Sequence, residues 1–141
     1  MEGITVIPHL SFNGQCEEAI TAYIQAFGGE IRYLSRWTEQ TAKQEQQVGR
    51  VMHAEFVLGK TPMAASDNFL FREGAADAVR LMIHLENVQE AQRAIQVLAE
   101  GGEILSPLQP HPAPDDGGCG SVTRDRFGYV WIMTCPNPDK Q

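Results

Sequence analysis

The chain contains the same stretch twice. Glu18-Ala19-Ile20-Thr21-Ala22, running on to Gly28-Gly29-Glu30-Ile31, is matched by Glu90-Ala91-Gln92-Arg93-Ala94, running on to Gly101-Gly102-Glu103-Ile104. Both copies open on Glu-Ala, hold Ala four places after the Glu, and close on Gly-Gly-Glu-Ile; the second carries one extra residue. Self-similarity at this spacing constrains the chain to two copies of one supersecondary unit.

Each copy reads as an amphipathic helix. Cys16, Ala19, Ile20, Tyr23, Ile24 and Phe27 recur at steps of three and four, and so do Val88, Ala91, Ile95 and Leu98. Glu17 and Glu18 occupy the first turn of one helix, where the helix dipole favours anions. Asn87 with Glu90 three residues on predicts an N-cap for the other. Gly28 and Gly101 end the two helices, because glycine takes the left-handed conformation at little cost.

A period of two marks strands around each helix. Pro8, Leu10 and Phe12 alternate with Ile7, His9 and Ser11, and Val79, Leu81, Ile83 and Leu85 alternate with Arg80, Met82 and His84. The more apolar row belongs under the helix and the other faces away. Ile31 to Trp37 continues the first half. Val51 to Leu58 and Thr61 to Ser66 then form a hairpin about Gly59-Lys60, and Ser121 to Arg124 and Tyr129 to Cys135 form another through Asp125 to Gly128. The expected fold class is α+β, two tandem βαβββ modules. They form a single domain over 1–141, with module one at 4–67 and module two at 78–135. Residues 68–77 connect the modules. Residues 38–49 read as a solvated loop. Residues 106–120, with Pro107, Pro110, Pro112 and Pro114 and then Gly117, Gly118 and Gly120, read as irregular backbone.

Composition narrows the function. A net charge of −7 repels phosphate backbones, and Lys and Arg are scattered, so nucleic acid is not an expected partner. No apolar run approaches the roughly 18 residues of a membrane span, and the N-terminus lacks the pattern of a signal peptide. Three cysteines without a CxxC pair fit a reducing cytoplasm.

Pro8-His9-Leu10-Ser11-Phe12-Asn13-Gly14-Gln15-Cys16-Glu17-Glu18-Ala19, with Tyr23 and Phe27-Gly28-Gly29-Glu30, resembles the opening of PhnB-like proteins of the glyoxalase/bleomycin-resistance (vicinal oxygen chelate) superfamily. His53-Ala54-Glu55-Phe56, Met63 to Asp67, and Val122 to Trp131 resemble its middle strands and final hairpin. The resemblance implies paired βαβββ modules whose curved mixed sheets surround a cavity, in a homodimer. It extends to metal-dependent lyases, isomerases and dioxygenases as well as to proteins that only sequester a ligand, so fold does not fix function. The chain departs from the family pattern twice. His9 stands where the family has Tyr, and Pro110 to Gly120 replaces a segment rich in Phe, Trp and Gly. No glycine-rich strand-to-helix loop suited to S-adenosylmethionine is present.

The superfamily's metal is held by His, Gln or Glu on the first and last strand of each module. Here His9 and Asp67 serve module one. Module two offers Arg80, a cation that cannot ligate, and no carboxylate or imidazole over Tyr129 to Thr134. No standard metal site and no cofactor are therefore expected. If a divalent metal does bind, His9, His53 and Glu55 are its ligands. The expected ligand-binding set is His9, His53, Glu55, Arg80 and His84 on the rows away from the helices, with Trp131 nearby. Arg80 and Arg124 suit an anionic ligand, and each reads equally as a structural pair with an acid. His111 reads as a solvated loop imidazole, and Cys119, between two glycines, as the most accessible thiol. The expected function is small-molecule binding without a standard metal. The alternative is a metal-dependent lyase, isomerase or dioxygenase.

Overall fold

A computed structural model describes residues 3–68 and 79–140. The chain divides into two compact units, Met1–Phe71 and Arg72–Gln141. The first contains β1 (His9–Phe12), α1 (Cys16–Phe27), β2 (Gly29–Arg36), a 3₁₀ turn (Glu45–Gln47), β3 (Val51–Leu58) and β4 (Thr61–Asp67). The second contains β5 (Leu81–His84), α2 (Val88–Ala99), β6 (Glu103–Pro110), β7 (Gly118–Arg124), β8 (Val130–Pro136) and a terminal 3₁₀ turn (Pro138–Lys140). The sheet orders are β1-β4-β3-β2 and β5-β8-β7-β6. In both, the strand before the helix pairs in parallel with the last strand, and the other pairings are antiparallel. Each unit is thus a βαβββ module, the fold of the vicinal oxygen chelate superfamily. The expected connection at 68–77 lies almost wholly outside the described residues. Among the described residues no helix is long and apolar enough to cross a membrane.

The repeated Gly-Gly-Glu-Ile has a physical cause at each glycine. Gly28 and Gly101 have φ of 79° and 71°, the left-handed region that stops a helix. The second glycine solves a different problem. A Cβ on Gly29 would collide with the Val57 carbonyl oxygen, and a Cβ on Gly102 with that of Arg124. Val57 opposes Glu30, and Arg124 opposes Glu103, so these are equivalent places in the two sheets. The extra residue of the second copy is Glu100. It falls after α2, so both helices keep 12 residues.

Each core lies between a helix and its own sheet. Leu10, Phe12, Ala54, Phe56, Leu58, Met63 and Ala65 meet Ala19, Ile20, Tyr23 and Ala26 of α1. In the second unit Trp131, Met133, Cys119 and Cys135 meet Ala91, Ala94, Ile95 and Leu98 of α2. The helices are capped by different means. Asn87 Oδ1 accepts from Glu90 N at 2.8 Å, a local cap. Gln15 caps nothing with its side chain. Instead Asp67, at the far end of β4, accepts from Gly14 N at 2.7 Å and Cys16 N at 3.0 Å, while its other oxygen takes Val51 N at 2.9 Å.

Residues 106–120 are less irregular than their prolines suggest. β6 runs through Pro107 to Pro110, and β7 begins at Gly118, leaving only 111–117 outside strands. β6 is the edge strand of its sheet, and its register with β7 shifts twice between Ile104 and Gln109. Edge strands and bulges are where proline's missing N–H costs no ladder bond.

Candidate functional site

The face of each sheet away from its helix is the candidate site, and the two faces differ. In the first unit one row across the strands is His9, Ala64, Glu55 and Tyr33. The neighbouring row brings Ser11 and Ser66 beside His53 and Ser35. These side chains engage one another. His9 Nε2 lies 3.3 Å from Ser66 Oγ, and His53 Nε2 lies 3.7 Å from Glu55 Oε1. The Tyr33 and His53 rings are 6.1 Å apart. Desolvation holds the His9 imidazole below its usual pKa, and the charge on His53 lowers it further. The face is open, with His9, Glu55 and Tyr33 exposed.

The second unit's face holds a groove of about 550 Å³. Met82, Leu85, Ile132 and Pro136 supply apolar wall, and His84, His111 and Thr134 supply polar groups. This size and composition are typical of small-molecule sites. His84 Nδ1 hydrogen-bonds Thr134 Oγ1, its direct neighbour on β8, which fixes the ring and leaves Nε2 without a partner among the described residues. His111 donates its backbone N–H to Gly118 O at 3.0 Å. Its imidazole lies over Gly118 and Gly120, and a Cβ on Gly120 would overlap the ring. Among the described residues that imidazole has no hydrogen-bonding partner.

His9, His53 and Glu55 therefore share one face of the first unit, and His84 lies on the corresponding face of the second. Arg80 is exposed just before β5, outside the groove lining. Arg124 forms the ion pair read as its structural alternative, 3.5 Å from Glu103. Trp131 is misplaced by the sequence reading. It pairs in register with Leu81, not with Arg80 or His84, and so belongs to the helix-facing row. It is 2 % exposed, and its indole donates to Asp125 Oδ2 at 2.9 Å. Cys119 is likewise buried rather than accessible, because the strand begins at Gly118 and turns the thiol toward α2. His111 is the residue that sequence reasoning passed over. Its signal was the Gly118-x-Gly120 spacing, two vacancies on one face of a strand.

The donors do not fit the superfamily's metal. Asp67 spends both oxygens on backbone N–H groups of its own unit. The groove-facing positions of β8 are Ile132 and Thr134. Among the described residues no three His, Cys, Asp or Glu side chains converge closely enough to hold a metal ion, and His9, His53 and Glu55 are no exception.

Residues 4–134 match the family model described as 3-demethylubiquinone-9 3-methyltransferase. Protein YjdN of Escherichia coli K12 is 25% identical over 137 residues, covering 89% of this chain and 91% of its own. A putative 3-demethylubiquinone-9 3-methyltransferase, PhnB protein, from Bacillus cereus is 27% identical over 94% of this chain and 99% of its own, with a TM-score of 0.80. Protein PA1353 from Pseudomonas aeruginosa is 28% identical over 95% and 98%, with a TM-score of 0.81.

Proposed function

Because this chain belongs to the PhnB-like family, the one whose model is described as 3-demethylubiquinone-9 3-methyltransferase, we propose that it binds a small molecule in the groove of its second unit, without a standard metal. The observation that carries this reading is that His84 Nε2 and the His111 imidazole, above an apolar wall, have no hydrogen-bonding partner among the described residues. The ligand this suits has an apolar body and a hydrogen-bonding or anionic head, a carboxylate above all. Methyl transfer has no support in the chain's own residues. The β1–α1 connection is Asn13-Gly14-Gln15, and the backbone N–H groups of Gly14 and Cys16 already go to Asp67 rather than to a cofactor.

Phenylacetate is a suitable probe, carrying a ring and a carboxylate. Calorimetric titration should give saturable binding. Removal of either imidazole, His84→Ala or His111→Ala, should weaken it about tenfold, the loss of one hydrogen bond to a charged group. Affinity unchanged from that of the parent in both variants would move the site off this groove. Homodimerisation in the cytoplasm belongs to the same proposal. Ile4 and Val6, 66% and 89% exposed, are apolar surface that a second copy would cover. Sedimentation yielding only the 15.6 kDa species would refute the dimer.

A further inference from the structure

Cys119 and Cys135 face each other directly across β7 and β8. Both are 5% exposed and pack with Ala91 of α2, on strands whose opposite face borders the second unit's groove. Two residues beyond the pair on each strand, Asn137 N–H donates to Gly117 O at 2.9 Å. Cys119 and Cys135 therefore occupy a hydrogen-bonded position of the antiparallel ladder, where opposed Cα atoms are about 5.5 Å apart. A disulfide accepts Cα separations of about 4.4–6.8 Å. No backbone rearrangement separates this dithiol from a closed bond.

We propose that Cys119 and Cys135 are a reversible dithiol–disulfide pair on the two strands behind the groove, closed by exchange with a low-molecular-weight disulfide. In the first step the Cys119 thiolate attacks one sulfur of the small disulfide, forming a mixed disulfide and expelling one small thiolate. In the second the Cys135 thiolate attacks Cys119 Sγ, closes the protein disulfide and expels the other. The two protons lost by the cysteines are taken up by the two leaving thiolates, so one disulfide is consumed and one formed. Burial and the neighbouring Cys119 hold the Cys135 thiol above its usual pKa. Closure ties β7 to β8 beside Gly118 and Gly120, the seat of His111. Its effect on ligand affinity rests on the groove reading; the bond itself does not.

Cys16 is the internal control. It is fully buried in the other unit, and burial with Asp67 and Glu17 pushes its pKa up to about 12. The full chain should be incubated with millimolar oxidised glutathione at mildly alkaline pH. Its mass should fall by about 2 Da, the loss of two hydrogens. Thiols counted after denaturation should fall from three to one. Peptide mapping should link residues 119 and 135, and dithiothreitol should restore all three thiols. Cys135→Ser should stop at a glutathione adduct on Cys119, whereas Cys16→Ser should close as the parent does. Retention of three thiols, a bridge to Cys16, or a bridge between chains would overturn the proposal. None of these readouts involves the groove's ligand, so they fail or succeed apart from the binding assignment.

Discussion

The first unit's open face closes its polar groups on one another, while among the described residues the second unit's face leaves His84 Nε2 and the His111 ring unpaired. Both sheets have the same strand order and the same collision-avoiding glycine, Gly29 or Gly102, at the same register. On the first, His9 meets Ser66 and His53 meets Glu55. On the second, the equivalent rows carry Met82 and Ile132, then His84, Thr134 and Gly120, then Pro136 and Gly118, with His111 leaning over the two glycines. A frame is set by backbone devices that admit one residue type. The face is set by side chains that the frame leaves unconstrained, so one module can be a support and its copy a site.

The largest effects should fall on the shared frame. Gly29→Ala and Gly102→Ala each drive a Cβ into a carbonyl oxygen that belongs to the paired strand and cannot yield. Each should cost about 3 kcal/mol or more in urea unfolding. A harmless substitution at one position and a severe one at the other would break the equivalence of the modules.

The capping devices should separate the units next. Asp67→Ala leaves three backbone N–H groups without their carboxylate and should cost about 3 kcal/mol. Asn87→Ala loses one local cap and should cost about 1 kcal/mol. Comparable costs measured by the same unfolding would mean that the long-range cap is not what holds α1.

The fold was legible in the sequence wherever local chemistry and tertiary context agreed. The hairpin about Gly59-Lys60 is a two-residue turn with φ of 57° at Gly59, and alternation along Val51 to Leu58 did separate His53 and Glu55 from the core. Legibility failed where context overrode local signals. Pro107 and Pro110 read as loop because nothing in their neighbourhood shows that β6 is an edge. The site was legible in one unit's terms only. Parity placed His84 on the row away from α2, where it lies, but His111 owes its position to glycines opposite it on β7, a cross-strand relation. Trp131 failed for the converse reason, since an aromatic on a strand fits either face until Asp125 claims its indole.

At the groove, smaller effects distinguish the faces. Gly120→Ala takes away the space that His111 occupies and should weaken phenylacetate binding about as much as His111→Ala does, roughly tenfold. A variant that binds as the parent does would show that the seat is irrelevant to the site.

The smallest effect concerns the first unit and pH. The folded pKa of His9 is depressed, so above the unfolded value both states are neutral and the group has no net effect. As pH falls below about 6.5 the unfolded chain takes a proton that the folded chain resists, and stability declines until the folded value is passed. His9→Gln should flatten that shallow acid-side decline in urea midpoints. An unchanged slope would remove His9 as its source.

The central claim is that the second unit's groove, and not the polar face of the first, is the working surface. Chemical-shift mapping of the four imidazoles during a phenylacetate titration tests it most directly. The account predicts saturable shifts of the His84 and His111 ring protons, with His9 and His53 unmoved; shifts confined to His9 and His53 would contradict it.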